Sequence, residues 1–333
     1  MPENSKRSSA SARHLAWIEQ IGLHVERWQA LAGDASARAY FRLWAEDRSW
    51  ILMVAPPPEN VSAFLKVAEL FRGVGIRVPT IYAADLDQGR LLLEDFGDLT
   101  FFRALQDGLR EELYQEALTT LVRLQTRIDP DLCDLPRYDE TLLRRELEIF
   151  RTWLIEGWLE MEVPLELWRD ATEVLVRSAL EQPKVVVHRD YHSRNLMVLP
   201  EETPGVLDFQ DAVVGPVTYD LVSLLRDCYL AWPEEWVSNL SEAYRLRLEA
   251  LGMPISPATW QRWFDRMGAQ RHLKAAGIFA RLWLRDGKPG YLRDIPRTLG
   301  YVLKIAQEDA ELAQLGEFLT QCAASPAVQG GKG

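Results

Sequence analysis

The stretch His188-Arg189-Asp190-Tyr191-His192-Ser193-Arg194-Asn195 decides how the rest of the chain is read. A short apolar run, Val185-Val186-Val187, leads into it, and another, Leu196-Met197-Val198-Leu199, leads out. Runs this short between polar residues fit buried strands, so the eight residues make a loop between two strands. The spacing His-x-Asp-x4-Asn suits one kind of chemistry. The aspartate reaches an acceptor hydroxyl and orients it or takes its proton. The asparagine, five residues on, returns to the same side and offers its amide oxygen to Mg²⁺. The histidine packs beneath the loop and braces it. Asp190 is therefore the candidate catalytic residue and Asn195 a candidate metal ligand.

Downstream, Val206-Leu207-Asp208-Phe209 places a second candidate metal ligand, Asp208, after another apolar run. Mg²⁺ prefers hard oxygen ligands, and one carboxylate, one amide and nucleotide phosphates form an ordinary set for it. Gly215-Pro216-Val217-Thr218-Tyr219-Asp220-Leu221 follows. A lone His-x-Asp, or a lone aspartate after an apolar run, carries little information. The joint pattern points to phosphoryl transfer from ATP with Mg²⁺ as the metal.

Upstream lies a different composition. Ala39–Trp44 and Trp50–Ala55 read as a hairpin ended by prolines 56–58. Val61, Phe64, Leu65, Ala68 and Phe71 recur at helical spacing up to Gly73, and two short strands follow at about 80–84 and 90–94. Beyond residue 95 broad apolar stripes predict helices over 111–126, 140–158, 165–180, 219–230, 234–251, 257–284 and 299–319. The expected class is α+β: an antiparallel-sheet lobe at 1–95 and a helical lobe at 96–333, meeting near Phe96-Gly97-Asp98. A chain of 333 residues is long enough for two packed lobes. Its net charge of −11 argues against nucleic acid or an anionic membrane as partner. No apolar run approaches the ~18 residues of a membrane span. The three cysteines lack metal-binding spacing, and the polar N-terminus lacks a signal-peptide core, so a cytoplasmic monomer acting on a small molecule is expected.

The loop motif, Leu207-Asp208-Phe209-Gln210 and Gly215-Pro216-x-x-Tyr219-Asp220-Leu221 together resemble the aminoglycoside phosphotransferase and choline kinase superfamily. Tyr40-Phe41-Arg42-Leu43, Leu91-Leu92-Leu93-Glu94-Asp95 and the run from Leu221 to Tyr229 resemble, more closely, bacterial N-acetylmuramate/N-acetylglucosamine anomeric kinases of cell-wall recycling. The resemblance spans about residues 15–315. It implies a bilobal protein-kinase-like fold, with the first hairpin over the triphosphate and Gly33 and Ser36 near phosphate oxygens. It also implies that backbone groups at Glu94 and Phe96 hold the adenine edge. One part is missing: the strand Trp50–Ala55 has no lysine for the phosphates, and Arg38 or Arg42 would replace it, since a guanidinium fork suits phosphate oxygens. The amino-sugar acceptor would face Arg226, Asp227, Arg271, His272 and Lys274, each of which could equally be an interhelical salt-bridge member. A lactyl carboxylate would want a cation, from Arg271 or Lys274. Two other readings stay open: a kinase for an aminoglycoside, choline, homoserine or another sugar, and a nucleotide-binding module without turnover.

Overall fold

Five antiparallel strands in the order β1-β2-β3-β5-β4 make the first layer of the molecule. They are β1 (Arg27–Ala30), β2 (Ala39–Ala45), β3 (Arg48–Val54), β4 (Ile81–Asp85) and β5 (Arg90–Glu94). The computed structural model describes residues 15–329 apart from 32–37, 57, 58, 60, 109 and 201–203. Gly33 and Ser36 therefore lie outside the described residues. The edge strand β1 was not expected. All four of its residues are exposed, so it carries no burial pattern to read.

Residues directly opposite across antiparallel strands share a face. Tyr40 and Arg42 of β2 oppose Met53 and Ile51 of β3, which in turn oppose Leu91 and Leu93 of β5. Met53, Leu91 and Leu93 join the main core with the next helix, α2 (Val61–Gly73). The other face carries Leu43, Leu52 and Leu92 and packs on Leu15, Trp17 and Ile18 of α1, described over residues 15–20. Both faces of the sheet are thus covered. Phe64 and Phe71 of α2 also reach across to Phe209, at ring-centroid distances of 4.6 and 5.8 Å, which ties this helix to the segment that carries Asp208.

The remainder is helical: α3 (Phe101–Ala104), α4 (Glu111–Arg127), α5 (Glu140–Ile149), α6 (Leu165–Leu180), α7 (Tyr219–Leu225), α8 (Glu234–Ala250), α9 (Pro257–Leu284), α10 (Ile295–Glu308), α11 (Ala313–Ala323) and α12 (Pro326–Gln329). Four short strands interrupt it: β6 (Lys184–Val187), β7 (Leu196–Met197), β8 (Gly205–Val206) and β9 (Val213–Pro216), paired as β6-β9 and β7-β8. Three helix expectations are corrected. The helix expected over 140–158 is α-helical only to Ile149 and continues as a π-helix, Phe150–Trp158. The helix expected over 219–230 stops at Leu225, because Asp227 turns its carboxylate onto the Tyr229 N–H. The helix expected over 299–319 is two helices, parted where Asp309 caps a short 3₁₀ turn through the Glu311 N–H.

Helix α9 is buried on nearly every side, and its middle carries Arg266, Gln270, Arg271, His272 and Lys274 in that buried setting. Gly277 lets it approach the start of the π-helix; a Cβ there would stand 2.6 Å from the Phe150 backbone. Charges on such a helix need partners or a ligand. Among the described residues no helix is long and apolar enough to cross a membrane.

Candidate active site

The start of the loop after β6 is pinned by a buried carboxylate. Asp220, at the start of α7 and wholly buried, accepts from the His188 N–H at 2.6 Å and from the Arg189 N–H at 2.9 Å. Arg189 adopts a left-handed backbone with φ of 79°, which a β-carbon disfavours by about 1–2 kcal/mol. The Asp220 bonds, and an ion pair from the Arg189 guanidinium to Glu146, offset that strain. Burial pushes the Asp220 carboxyl up to about 7.

His188 braces the loop from below. Its Nδ1 accepts from the Asp190 N–H at 3.2 Å, so its Nε2 is the donor to the Leu207 carbonyl at 3.0 Å. Burial lowers this imidazole to about 4, which keeps it neutral. One ring thus spaces Asp190 against the residue before Asp208.

Asp190 is half-buried, and its carboxylate accepts no hydrogen bond from a described residue. Burial raises the carboxyl, but the charges of Lys274, His192, Arg271 and Arg189 outweigh that and hold it below its ordinary value. It is ionised and available. Asn195 donates from Nδ2 to the Asp190 carbonyl at 3.0 Å, which turns its amide oxygen outward. Asp208 also has a left-handed backbone, φ 60°. Its side chain keeps contact with solvent although protein surrounds most of it. Burial and the charge of Asp190 push it up to about 6, against a hydrogen bond from Gln210 Nε2 at 2.9 Å and the charge of Arg38. Gln210 therefore steadies the Asp208 carboxylate.

Among the described residues no three His, Cys, Asp or Glu side chains converge on one point, so no all-protein metal cage exists there. One carboxylate under repulsion from another, beside an outward amide oxygen, fits a hard cation that takes its remaining ligands from phosphates and water. Those residues fit Mg²⁺.

On the sheet side the two arginines part ways. Arg38 pairs with Glu59 at 2.8 Å, hydrogen-bonds Tyr40, and acts by its charge on Asp208. Tyr40 is pushed up to about 12 by burial and by Asp208. Arg42 points instead to the crossing between sheet and helices. It grips Asp95 at 2.6 Å, Asp98 at 2.9 Å and the Gly97 carbonyl at 3.1 Å. The Glu94 carboxylate is taken by Arg77 and the Thr80 N–H, and Arg77 also stacks on the Phe96 ring. Gly205 is required beneath that ring, since a Cβ there would lie 2.8 Å from it.

The five acceptor candidates also separate. Arg226 bridges Glu234 and Asp265 at 2.9 and 2.8 Å over the Phe264 ring. Asp227 holds the Ser193 and Tyr229 N–H groups, and His272 sets both ring nitrogens against the carbonyls of Gly268 and Arg226. These three are engaged within the protein. Lys274 contacts Glu146 at 3.1 Å and the Tyr219 hydroxyl at 3.0 Å. Among the described residues Arg271 has one hydrogen-bond partner, the Cys228 thiol at 3.6 Å.

Sequence reasoning missed Glu146, which the structure makes a hub. It is buried and contacts Arg189, Lys274, the Tyr138 hydroxyl and Gln270. Burial raises its carboxyl, but Lys274 and Arg189 more than reverse this. The signal was present: Glu146 stands on the apolar stripe of α5 between Leu143 and Leu147. Asp220 was quoted in the Tyr-Asp-Leu motif without a role.

Residues 27–263 match the model of the phosphotransferase enzyme family described as APH. An N-acetylmuramate/N-acetylglucosamine kinase of Pseudomonas aeruginosa is 47% identical over 86% of this chain and 86% of its own length. One from Neisseria meningitidis is 42% identical over 87% of this chain and 89% of its own. Among solved structures, a choline kinase from Streptococcus pneumoniae superposes with a TM-score of 0.63 at 11% identity, covering 89% of this chain and 99% of that one. A spectinomycin phosphotransferase in complex with ADP and spectinomycin gives 0.60 at 13% identity, covering 92% and 98%.

Proposed function

The chain belongs to the phosphotransferase enzyme family, and we propose that it transfers the γ-phosphoryl group of ATP to the anomeric hydroxyl of N-acetylmuramate and N-acetylglucosamine, giving sugar 1-phosphates in peptidoglycan recycling. The observation that carries this reading is the Asp190 carboxylate, ionised and unengaged beside an outward amide of Asn195 and the carboxylate of Asp208. A catalytic group for an alcohol acceptor needs that combination. The names of the relatives supply the acceptor.

In this reading the anomeric oxygen, oriented by Asp190, forms its bond to the γ-phosphorus as the bond to the β–γ bridging oxygen breaks. Its proton passes to Asp190 and ADP leaves. Asn195 and Asp208 would hold Mg²⁺, which when bound would supply positive charge to offset that of the phosphates. Arg38 takes the place of the missing strand lysine at the phosphates. Backbone groups from Glu94 to Phe96 meet the adenine, and residues 1–95 and 96–333 act as the two lobes. The acceptor lies on the helical side between Asp190, Lys274 and Arg271. The enzyme works as a monomer.

The test is purified protein with ATP, Mg²⁺ and a panel of amino sugars, aminoglycosides and choline, read by ³¹P NMR. A product phosphorus coupled to the anomeric proton is expected. Phosphorylation at another hydroxyl removes the C1 assignment. ATP binding with no turnover of any acceptor removes the enzyme reading.

A further inference from the structure

A buried guanidinium next to the candidate catalytic carboxylate lacks the partner that every comparable cation nearby possesses. Arg271 is only 6% exposed. It offers five N–H donors. Among the described residues only one is used, from Nη1 to the weak acceptor Cys228 Sγ at 3.6 Å, and the Nε is sealed from solvent with no partner. Lys274, Arg189 and Arg226 each grip a carboxylate. Buried polar groups in folded proteins are satisfied almost without exception, and buried charges more strictly still.

A second unsatisfied atom faces the same region. Among the described residues His192 Nδ1, on the loop that carries Asp190, has no hydrogen-bond partner although it is buried, and the charges of Asp190 and Arg271 both act on this ring. Arg271 also acts on Asp190 directly, whereas Arg38 is the arginine that acts on Asp208. The two arginines therefore act on different carboxyl groups of the site: Arg38 on Asp208, Arg271 on Asp190. No described carboxylate comes within ion-pair distance of Arg271, although Asp190 and Asp227 feel its charge.

We propose that Arg271 forms a carboxylate subsite in the acceptor pocket, by which the protein favours an acidic amino sugar over a neutral one. This rests on the amino-sugar reading above. A guanidinium fork matches a carboxylate in two parallel hydrogen bonds. Lys274 is excluded from the task because Glu146 and Tyr219 already hold it. A neutral sugar is still accepted, since Asp190 and Asp227 share the charge of Arg271 when no carboxylate is present.

The experiment is a cycle between residue and ligand. Wild type, Arg271→Met and Arg271→Lys are assayed with N-acetylmuramate, its near-isosteric carboxamide and N-acetylglucosamine. Loss of one charge-assisted contact predicts that wild type turns over the carboxamide with a kcat/KM about 10- to 100-fold below the acid. Arg271→Met loses a similar factor on the acid, loses clearly less on N-acetylglucosamine, and turns over acid and carboxamide alike. Arg271→Lys falls between the two. Equal use of acid and carboxamide by wild type overturns the subsite, and this arm decides even if a variant fails to fold. Equal loss on both sugars in Arg271→Met also overturns it, because that is the signature of a residue acting only through Asp190. Absence of turnover with either sugar in wild type overturns the amino-sugar reading itself and the subsite with it.

Discussion

The two walls of the cleft are built on different plans. On the helical wall the functional loop is fixed by buried carboxylates that accept backbone N–H groups: Asp220 for His188 and Arg189, Asp227 for Ser193. Both are fully buried. On the sheet wall the positive charges are held by side-chain ion pairs with some solvent access: Arg38 with Glu59, Arg42 with Asp95 and Asp98, Arg77 with Glu94. A backbone amide pinned to a buried carboxylate has almost no freedom, and a long side chain in a partly solvated pair has several rotamers. The loop on the helical wall is therefore the more rigid of the two, and the ion pairs on the sheet wall can exchange partners.

The largest losses are expected from the helical wall. Asp190→Asn keeps the side chain's shape and removes its charge, and kcat falls about 10³- to 10⁴-fold with nucleotide affinity unchanged within about threefold. Steady-state assays with calorimetric ADP titration check both halves. A loss shared between kcat and ADP affinity would place Asp190 with the nucleotide instead. Asp220→Ala strands two buried N–H groups and releases the strain at Arg189. It costs about 2–5 kcal/mol in urea unfolding and lowers kcat more than nucleotide affinity. An unchanged midpoint would mean the loop is held some other way.

A third prediction concerns pH at the meeting of the walls. The Asp208 carboxyl is raised from 3.8 to about 6, first by burial and then by Asp190. An acid shifted upward favours the folded chain in its protonated form. Its contribution to stability is complete below the unfolded value and is lost as pH rises through about 6. Metal binding needs the ionised form. Affinity for Mg²⁺–ADP should therefore fall about tenfold between pH 7 and pH 5, by calorimetry. Gln210→Ala removes a hydrogen bond that lowers this group and should move the fall to higher pH. A flat profile in wild type would remove Asp208 as the ligand.

The same contrast explains what the sequence disclosed. The loop motif was legible because its spacing is fixed by chemistry within one short segment, from His188 to Asn195. Helices α2, α6 and α9 were legible because their apolar stripes are long. The pairings of Arg226, Asp227 and His272 were not, since each depends on residues brought together by tertiary packing: Asp265, Ser193 and the Arg226 carbonyl. Only such packing distinguishes the underused Arg271 from its satisfied neighbour Lys274. Strand β1 escaped because an exposed edge strand has no buried alternation, and the break between α10 and α11 because one aspartate cap outweighed a continuous apolar pattern.

The smallest effects belong to the sheet wall, where they also discriminate most finely. Both Arg38 and Arg42 lie on the cleft side, and from sequence either could replace the missing lysine. Arg38 acts on Asp208, whereas Arg42 is spent on Asp95, Asp98 and the Gly97 carbonyl at the crossing. Arg38→Ala should raise the KM for ATP about three- to tenfold with kcat within about twofold, as one phosphate contact among several is lost. Arg42→Ala should leave that KM within about twofold but cost about 1–2 kcal/mol of stability, because its removal strands the buried Asp95 carboxylate. The opposite assignment, with KM following Arg42 and stability following Arg38, would mean that the fork at Asp95 opens when nucleotide binds and that the crossing, not the strand, supplies the phosphate cation. Equal, negligible effects on KM would return the task to the hairpin backbone, and the sheet wall would then hold the triphosphate by main-chain amides without a dedicated charge.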